Sequence, residues 1–138
     1  MRTIKFRGKR VDNGEWVYGN LTNSYTDSDP LNESSEITVN ICIQEFPIDY
    51  NKSRLTIVIP ETVGQFTGLT DKNGKDIFEG DVLKVSLFKK TFQVVFAESE
   101  KWGASFQHKS HNSIFYLTKY FTDTSEVIGN IHDNPELL

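Results

Sequence analysis

Apolar and polar residues alternate with period two along most of this chain. Ile4 and Phe6 alternate with Thr3, Lys5 and Arg7, the spacing of a strand with one buried face. Asp12-Asn13-Gly14 supplies turn residues and Trp16-Val17-Tyr18 resumes an extended segment, which predicts a first hairpin. Residues 22–36 are poor in apolar side chains and rich in Asn, Ser, Thr and Asp, so they read as a surface loop. Beyond them Ile37, Val39, Ile41 and Ile43 fall on one face, with Thr38, Asn40 and Cys42 on the other. Leu55, Ile57 and Ile59 repeat the alternation after a connection over residues 46–54. A second strand pair is expected there.

The character changes at Pro60-Glu61, which suit the first turn of a short helix. Asn73-Gly74 marks a tight turn and Glu79-Gly80-Asp81 another, since glycine takes positive φ without a steric cost. Residues 82–88 and 91–96, joined at Lys89-Lys90, have the β-branched and aromatic content of a long hairpin. Residues 102–106 and 126–131 predict two more strands, the last ended by Asp133-Asn134-Pro135. Between them Ile114, Leu117 and Phe121 have helical spacing within a strand-like composition, so residues 110–121 fit either element. The expected class is mainly β with little helix: short strands between glycine-bearing turns, as in a small barrel or sandwich.

At 138 residues the chain has room for one domain, or for a barrel with an appended subdomain. The formal charge of −4 argues against a wholly basic nucleic-acid coat. A hydrophobic fraction of 37% supports a packed core rather than wholesale disorder. The single cysteine, Cys42, cannot form an intramolecular disulfide; flanked by isoleucines, it reads as inert packing. The basic opening has no apolar signal core, and no apolar run approaches the length of a membrane span. A cytoplasmic protein with no membrane partner is therefore expected.

The arrangements that carry chemistry mostly fail on spacing. Asp71 to Asp76 resembles a calcium-loop opening, but its glycine is Gly74, at the fourth position, and Val82 stands where the bidentate Glu belongs. Gly68 to Lys75 departs from a phosphate loop in its glycine spacing and places Asp76 where a magnesium-binding hydroxyl would sit. His108 and His111 are three apart, but their polar surroundings predict exposed histidines rather than metal ligands. Glu79 and Asp81 lack a partner base, and there is no Gly-x-Ser-x-Gly elbow. No catalytic activity, metal or other cofactor is expected. The charge feature with most content is the start, where Arg2, Lys5, Arg7, Lys9 and Arg10 occur with no acidic residue among the first ten. Lys5 and Arg7 on one strand face, with Arg2 and the Lys89-Lys90 turn, are candidate contacts for phosphates or an acidic partner. The plainer reading is a solvated face whose lysines guard a sheet edge.

Three blocks carry a family resemblance: Ile4-Lys5-Phe6-Arg7, the segment from Pro60 to Val82 containing Gly-Leu-Thr-Asp-Lys-Asn-Gly-Lys-Asp, and Val127-Ile-Gly-Asn-Ile-His-Asp-Asn-Pro-Glu-Leu137. Together they resemble the YopX family of small proteins encoded by phages and prophages. The resemblance implies a β-rich fold with an SH3-like barrel in the C-terminal half, residues 60–138, and an N-terminal β subdomain over residues 1–59. It also implies self-association, and it brings no catalytic residues. The expected function is a non-enzymatic phage or prophage accessory protein, self-assembling or binding a phage or host protein. The alternative is a small-barrel nucleic-acid module that uses the basic N-terminal hairpin.

Overall fold

A computed structural model describes residues 3–46, 54–99, 103–111 and 113–138. The chain divides into two compact units, the first Ile4–Gly64 and the second Gln65–Leu138 together with Thr3. In the first, β1 (Phe6–Lys9), β2 (Trp16–Asp27), β3 (Ile37–Glu45) and β4 (Leu55–Ile57) pair antiparallel in the order β4-β3-β2-β1. The predicted first hairpin is present. Its turn places Gly14 at φ +71°, and the Asn13 side chain accepts from the Glu15 N–H at 2.9 Å. The 3-10 turn Pro60–Thr62 begins on its proline, as the sequence predicted.

Two expectations for this unit are overturned. Residues 22–27 are not loop: β2 runs to Asp27, each residue opposite a partner on β3 from Thr22↔Cys42 to Asp27↔Ile37. A polar strand forms here because the ladder bonds are backbone bonds and its neighbour supplies them. Only residues 28–36 turn the chain, through side-chain acceptances at Asp27, Asp29 and Asn32. The isoleucine alternation also misleads on β4. The register Ile43↔Thr56 buries Thr56 and Val58 and leaves Leu55 and Ile57 exposed. The core of the unit is Val17, Ile43 and Val58, flanked by Phe6, Ile41 and Val63. Gly19, opposite Phe6 and Glu45, has no room for a side chain, because a Cβ there would strike the Gln44 carbonyl.

The second unit opens with a hairpin of β5 (Gly64–Thr70) and β6 (Asp76–Phe78). A five-stranded antiparallel sheet follows, of β7 (Asp81–Val85), β8 (Lys90–Ser99), β9 (Gly103–Ser110), β10 (Ser113–Tyr116) and β11 (Ser125–Asn130). Its order is β10-β9-β8-β7-β11, so β10 and β11 stand at opposite ends and the sheet does not close into the expected barrel. The ambiguous segment resolves into both elements: β10, then the short helix α1 (Lys119–Asp123), whose N-cap Thr118 accepts from the Phe121 N–H. Trp102 and residues 47–53 lie outside the described residues. Ile77, Leu83, Val94 and Leu117 form the core, packed by Leu69, Phe106, Phe121 and Val127.

The turn at Asp71 does more than reverse the chain. Asp71 is 4% exposed. One carboxylate oxygen accepts from the N–H groups of Asn73 and Lys75 at 2.8 and 3.0 Å. The other accepts from Val127 at 2.9 Å, beside a register shift in the β11–β7 ladder. The Lys72 N–H adds a bond to the Ser125 carbonyl, so this turn satisfies the outer edge of β11. Burial pushes the Asp71 pKa up, but the donors from Val127, Lys75 and Asn73, with the Lys75 charge, outweigh it and hold the pKa below 3.8. A depressed carboxylate pKa stabilises the fold above the unfolded value, and that contribution is lost as pH falls through the folded one. Asp71→Ala orphans three N–H groups and is expected to cost about 2–4 kcal/mol in urea unfolding at pH 7, with a shallower acid limb than the parent. Gly19→Ala is expected to destabilise by about 2 kcal/mol or more, whereas Gly14→Ala costs about 1 kcal/mol through its φ alone.

Candidate functional site

The structure gives the basic candidates unequal surroundings. Arg2 lies outside the described residues. Lys5 precedes β1 and is half-buried. Arg7, opposite Tyr18, is only 6% exposed; its guanidinium carbon lies 4.6 Å from the centroid of the Trp16 ring. Lys9, opposite Trp16, holds its ammonium 5.6 Å from the same ring. These are cation–π contacts, and they make Arg7 a packed side chain rather than one extended to solvent. Arg10 is occupied by Asp12, which accepts from Nε and a terminal nitrogen at 2.8 and 2.7 Å. In the second unit Lys89 and Lys90 are brought together, both exposed, where the chain turns from β7 into β8; Lys89 takes φ +46°.

An exposed apolar surface lies on the β2–β3 hairpin. Side chains facing the core side of β2 are paired Leu21↔Ile43, Asn23↔Ile41, Tyr25↔Val39 and Asp27↔Ile37. Ile43 is fully buried, but the row continues beyond the core into solvent. Tyr25 is 69% exposed, Ile37 65% and Val39 52%. Among the described residues the ladder to β1 stops at Gly19 and the ladder to β4 at Cys42. Residues 21–27 and 37–40 therefore pair only with each other, which leaves two open edges beside an apolar face. On the opposite face Cys42 is buried, its thiol donating to the Ser24 hydroxyl at 3.3 Å. That is the inert packing its neighbours suggested.

His108 is not exposed, contrary to expectation. It lies on β9 opposite Val94 and Phe115, at 7% exposure, inside a cluster of phenylalanines. Phe121 of α1 stacks on the imidazole at 3.8 Å between centroids and 4° between planes. Phe92 meets its edge at 5.2 Å and Phe115 stacks at 5.8 Å. Nδ1 is enclosed without a hydrogen-bond partner. Burial disfavours the charged ring and lowers its pKa from 6.5 to about 4. Beside it opens a cavity of about 310 Å³, lined by these rings with Phe88, Lys90, Ser110 and Ser113. Among the described residues no three His, Cys, Asp or Glu side chains gather as metal ligands do.

Residues 5–138 match the family described as YopX protein, essentially the whole chain. The chain belongs to the YopX family. A solved relative in structure is protein EF1440 from Enterococcus faecalis, 26% identical, with a TM-score of 0.53 over 100% of this chain and 99% of that one. No curated protein matches. No helix of this YopX-family chain is long and apolar enough to cross a membrane, among the described residues.

Sequence reasoning missed both surfaces of this YopX-family protein. Tyr25 and Leu21 are separated by polar residues, so no hydrophobic period announced a strand. The available signal was Thr22, Ser24 and Thr26 at spacing two, compatible with a polar strand face. The rings around His108 come from β8, β10 and α1, and only the fold assembles them. The His108 shift has a testable sign. The folded state resists protonation between pH 6.5 and about 4, so the unfolded state binds more protons there. Stability is then complete above the unfolded pKa and falls on acidification. Urea unfolding of His108→Phe is expected to lose less stability between pH 7 and 4.5 than the parent; an unchanged slope would contradict the burial.

Proposed function

We propose that this YopX-family chain is a non-enzymatic phage or prophage accessory module that works by self-assembly, and that the outer half of its β2–β3 hairpin is the assembling surface. One observation carries the proposal: the apolar row of Leu21, Tyr25, Ile37 and Val39 is flanked by strand edges paired to nothing else among the described residues. Exposed apolar faces with free edges are the usual seat of strand addition and protein association. A second copy of the same hairpin offers both complements at once, an apolar face and an open edge. The family resemblance points in the same direction. The SH3-like reading rests on the β7–β8–β9 meander, the one-turn helix and the return of β11 to β7, as an open relative of that barrel.

The nucleic-acid alternative is less favoured because Arg7, one of its principal contacts, packs on Trp16. The assembly proposal predicts a defined oligomer for the full chain at about 50 µM in sedimentation velocity. Tyr25→Ser with Val39→Lys, both at exposed positions, is expected to shift it to monomer while circular dichroism stays unchanged. A monomeric parent, or a variant that stays oligomeric, would sink the assignment to this hairpin.

A further inference from the structure

The cavity beside His108 continues into a second depression of different chemistry. Strand register explains why. On one face of the sheet β8 presents Lys90 and then Phe92, β9 presents Ser110 and then His108, and β10 presents Ser113 and then Phe115, with Ser110↔Ser113 and His108↔Phe115 as cross-strand pairs. The polar positions therefore line up at one end of the face and the rings at the other. The apolar chamber of about 310 Å³ shares Lys90, Ser110 and Ser113 with an adjoining depression of about 410 Å³, which adds Lys89, Thr91 and His111. No acidic side chain lines either one, in a chain of net charge −4. Among the described residues neither Lys89 nor Lys90 is in an ion pair.

We infer that this pair of cavities is a binding site for a nucleotide, its base held among the phenylalanines and its phosphate at Lys89 and Lys90. Both volumes fall at the small end of ligand sites, roughly 300–1,000 Å³, the size for one ring in the chamber and one anionic group outside it. Phe88 and Phe115 are 59% and 49% exposed, unlike Phe92, and offer ring faces to a planar guest. Stacking of a base on such rings is tolerant of base identity. His108 stays neutral at ordinary pH, so the chamber floor adds no charge to repel or trap an ion. The cations and the Ser110 and Ser113 hydroxyls supply the donors that a phosphate accepts from. A metal cation would find no carboxylate there. This site lies in the second unit and does not depend on the hairpin of the first.

Calorimetric titration of the full chain with adenosine 5′-monophosphate, adenosine and ribose 5-phosphate tests the inference. The monophosphate is expected to bind at least about tenfold more tightly than either fragment. Lys90→Ser is expected to reduce it to the level of adenosine, and Phe115→Ser to weaken it about tenfold. Both residues are exposed, and an unchanged thermal melt verifies that the variants fold. Heats no greater for the monophosphate than for its fragments, or affinities untouched by both substitutions, would overturn the proposal. A single-stranded hexanucleotide separates the sources. Binding well above the monophosphate, and lowered by the same substitutions, assigns the site to unpaired strands; equal binding assigns it to free nucleotides. An oligomeric state unchanged by Lys90→Ser keeps this result separate from that of the hairpin.

Discussion

Every strand at the edge of an open sheet carries a row of backbone N–H and C=O groups that must be bonded or left to water. Both units of this protein are built around that constraint, and they answer it differently. In the second unit the β5–β6 turn lies along β11, and the Asp71 carboxylate takes the Val127 N–H while also organising its own turn. A single buried acid thus joins two segments far apart in sequence and covers an edge that would otherwise be open. Its pKa is held low by the same bonds that hold the fold, so the chemistry and the architecture are one arrangement.

The first unit leaves the outer part of one hairpin without a neighbouring strand among the described residues. β2 and β3 are longer than the strands beside them, and among the described residues the stretches 21–27 and 37–40 pair only with one another. An isolated two-stranded ribbon has little stability of its own in water, and here it also carries Tyr25, Ile37 and Val39 exposed on one face. The arm gains from any partner that covers it. That is the physical ground on which self-assembly through this hairpin is proposed.

The aromatic cluster of the second unit shows how one sheet face can hold two chemistries. Side chains two apart share a face, so the succession from Lys90 to Phe92, from Ser110 to His108 and from Ser113 to Phe115 makes a polar end and an aromatic end. His108 sits where they meet. Its ring is flat, neutral and stacked on Phe121, so it behaves as one more aromatic in the wall. The histidine that spacing offered as a metal ligand is a packing residue because its neighbours from three other elements exclude water.

Local pattern determined the local elements. Asp12-Asn13-Gly14, Asn73-Gly74 and Glu79-Gly80-Asp81 fixed the turns because positive φ is cheap only for glycine and a few polar residues. Period-two alternation placed β1, β3, β7 and β8, and the terminal blocks with the Pro60–Val82 segment identified the family. Tertiary structure decided whatever depends on register and neighbours. Strand 22–27 exists because β3 lies beside it, whatever its polar composition. Leu55 and Ile57 point outward because Ile43 faces Thr56. Arg7 leaves the solvent because Trp16 is one strand away, and the cavity beside His108 exists because four separate elements meet there. A sequence prescribes the period of each strand, but which residues end up sharing a face is set by pairing between segments that local pattern does not connect.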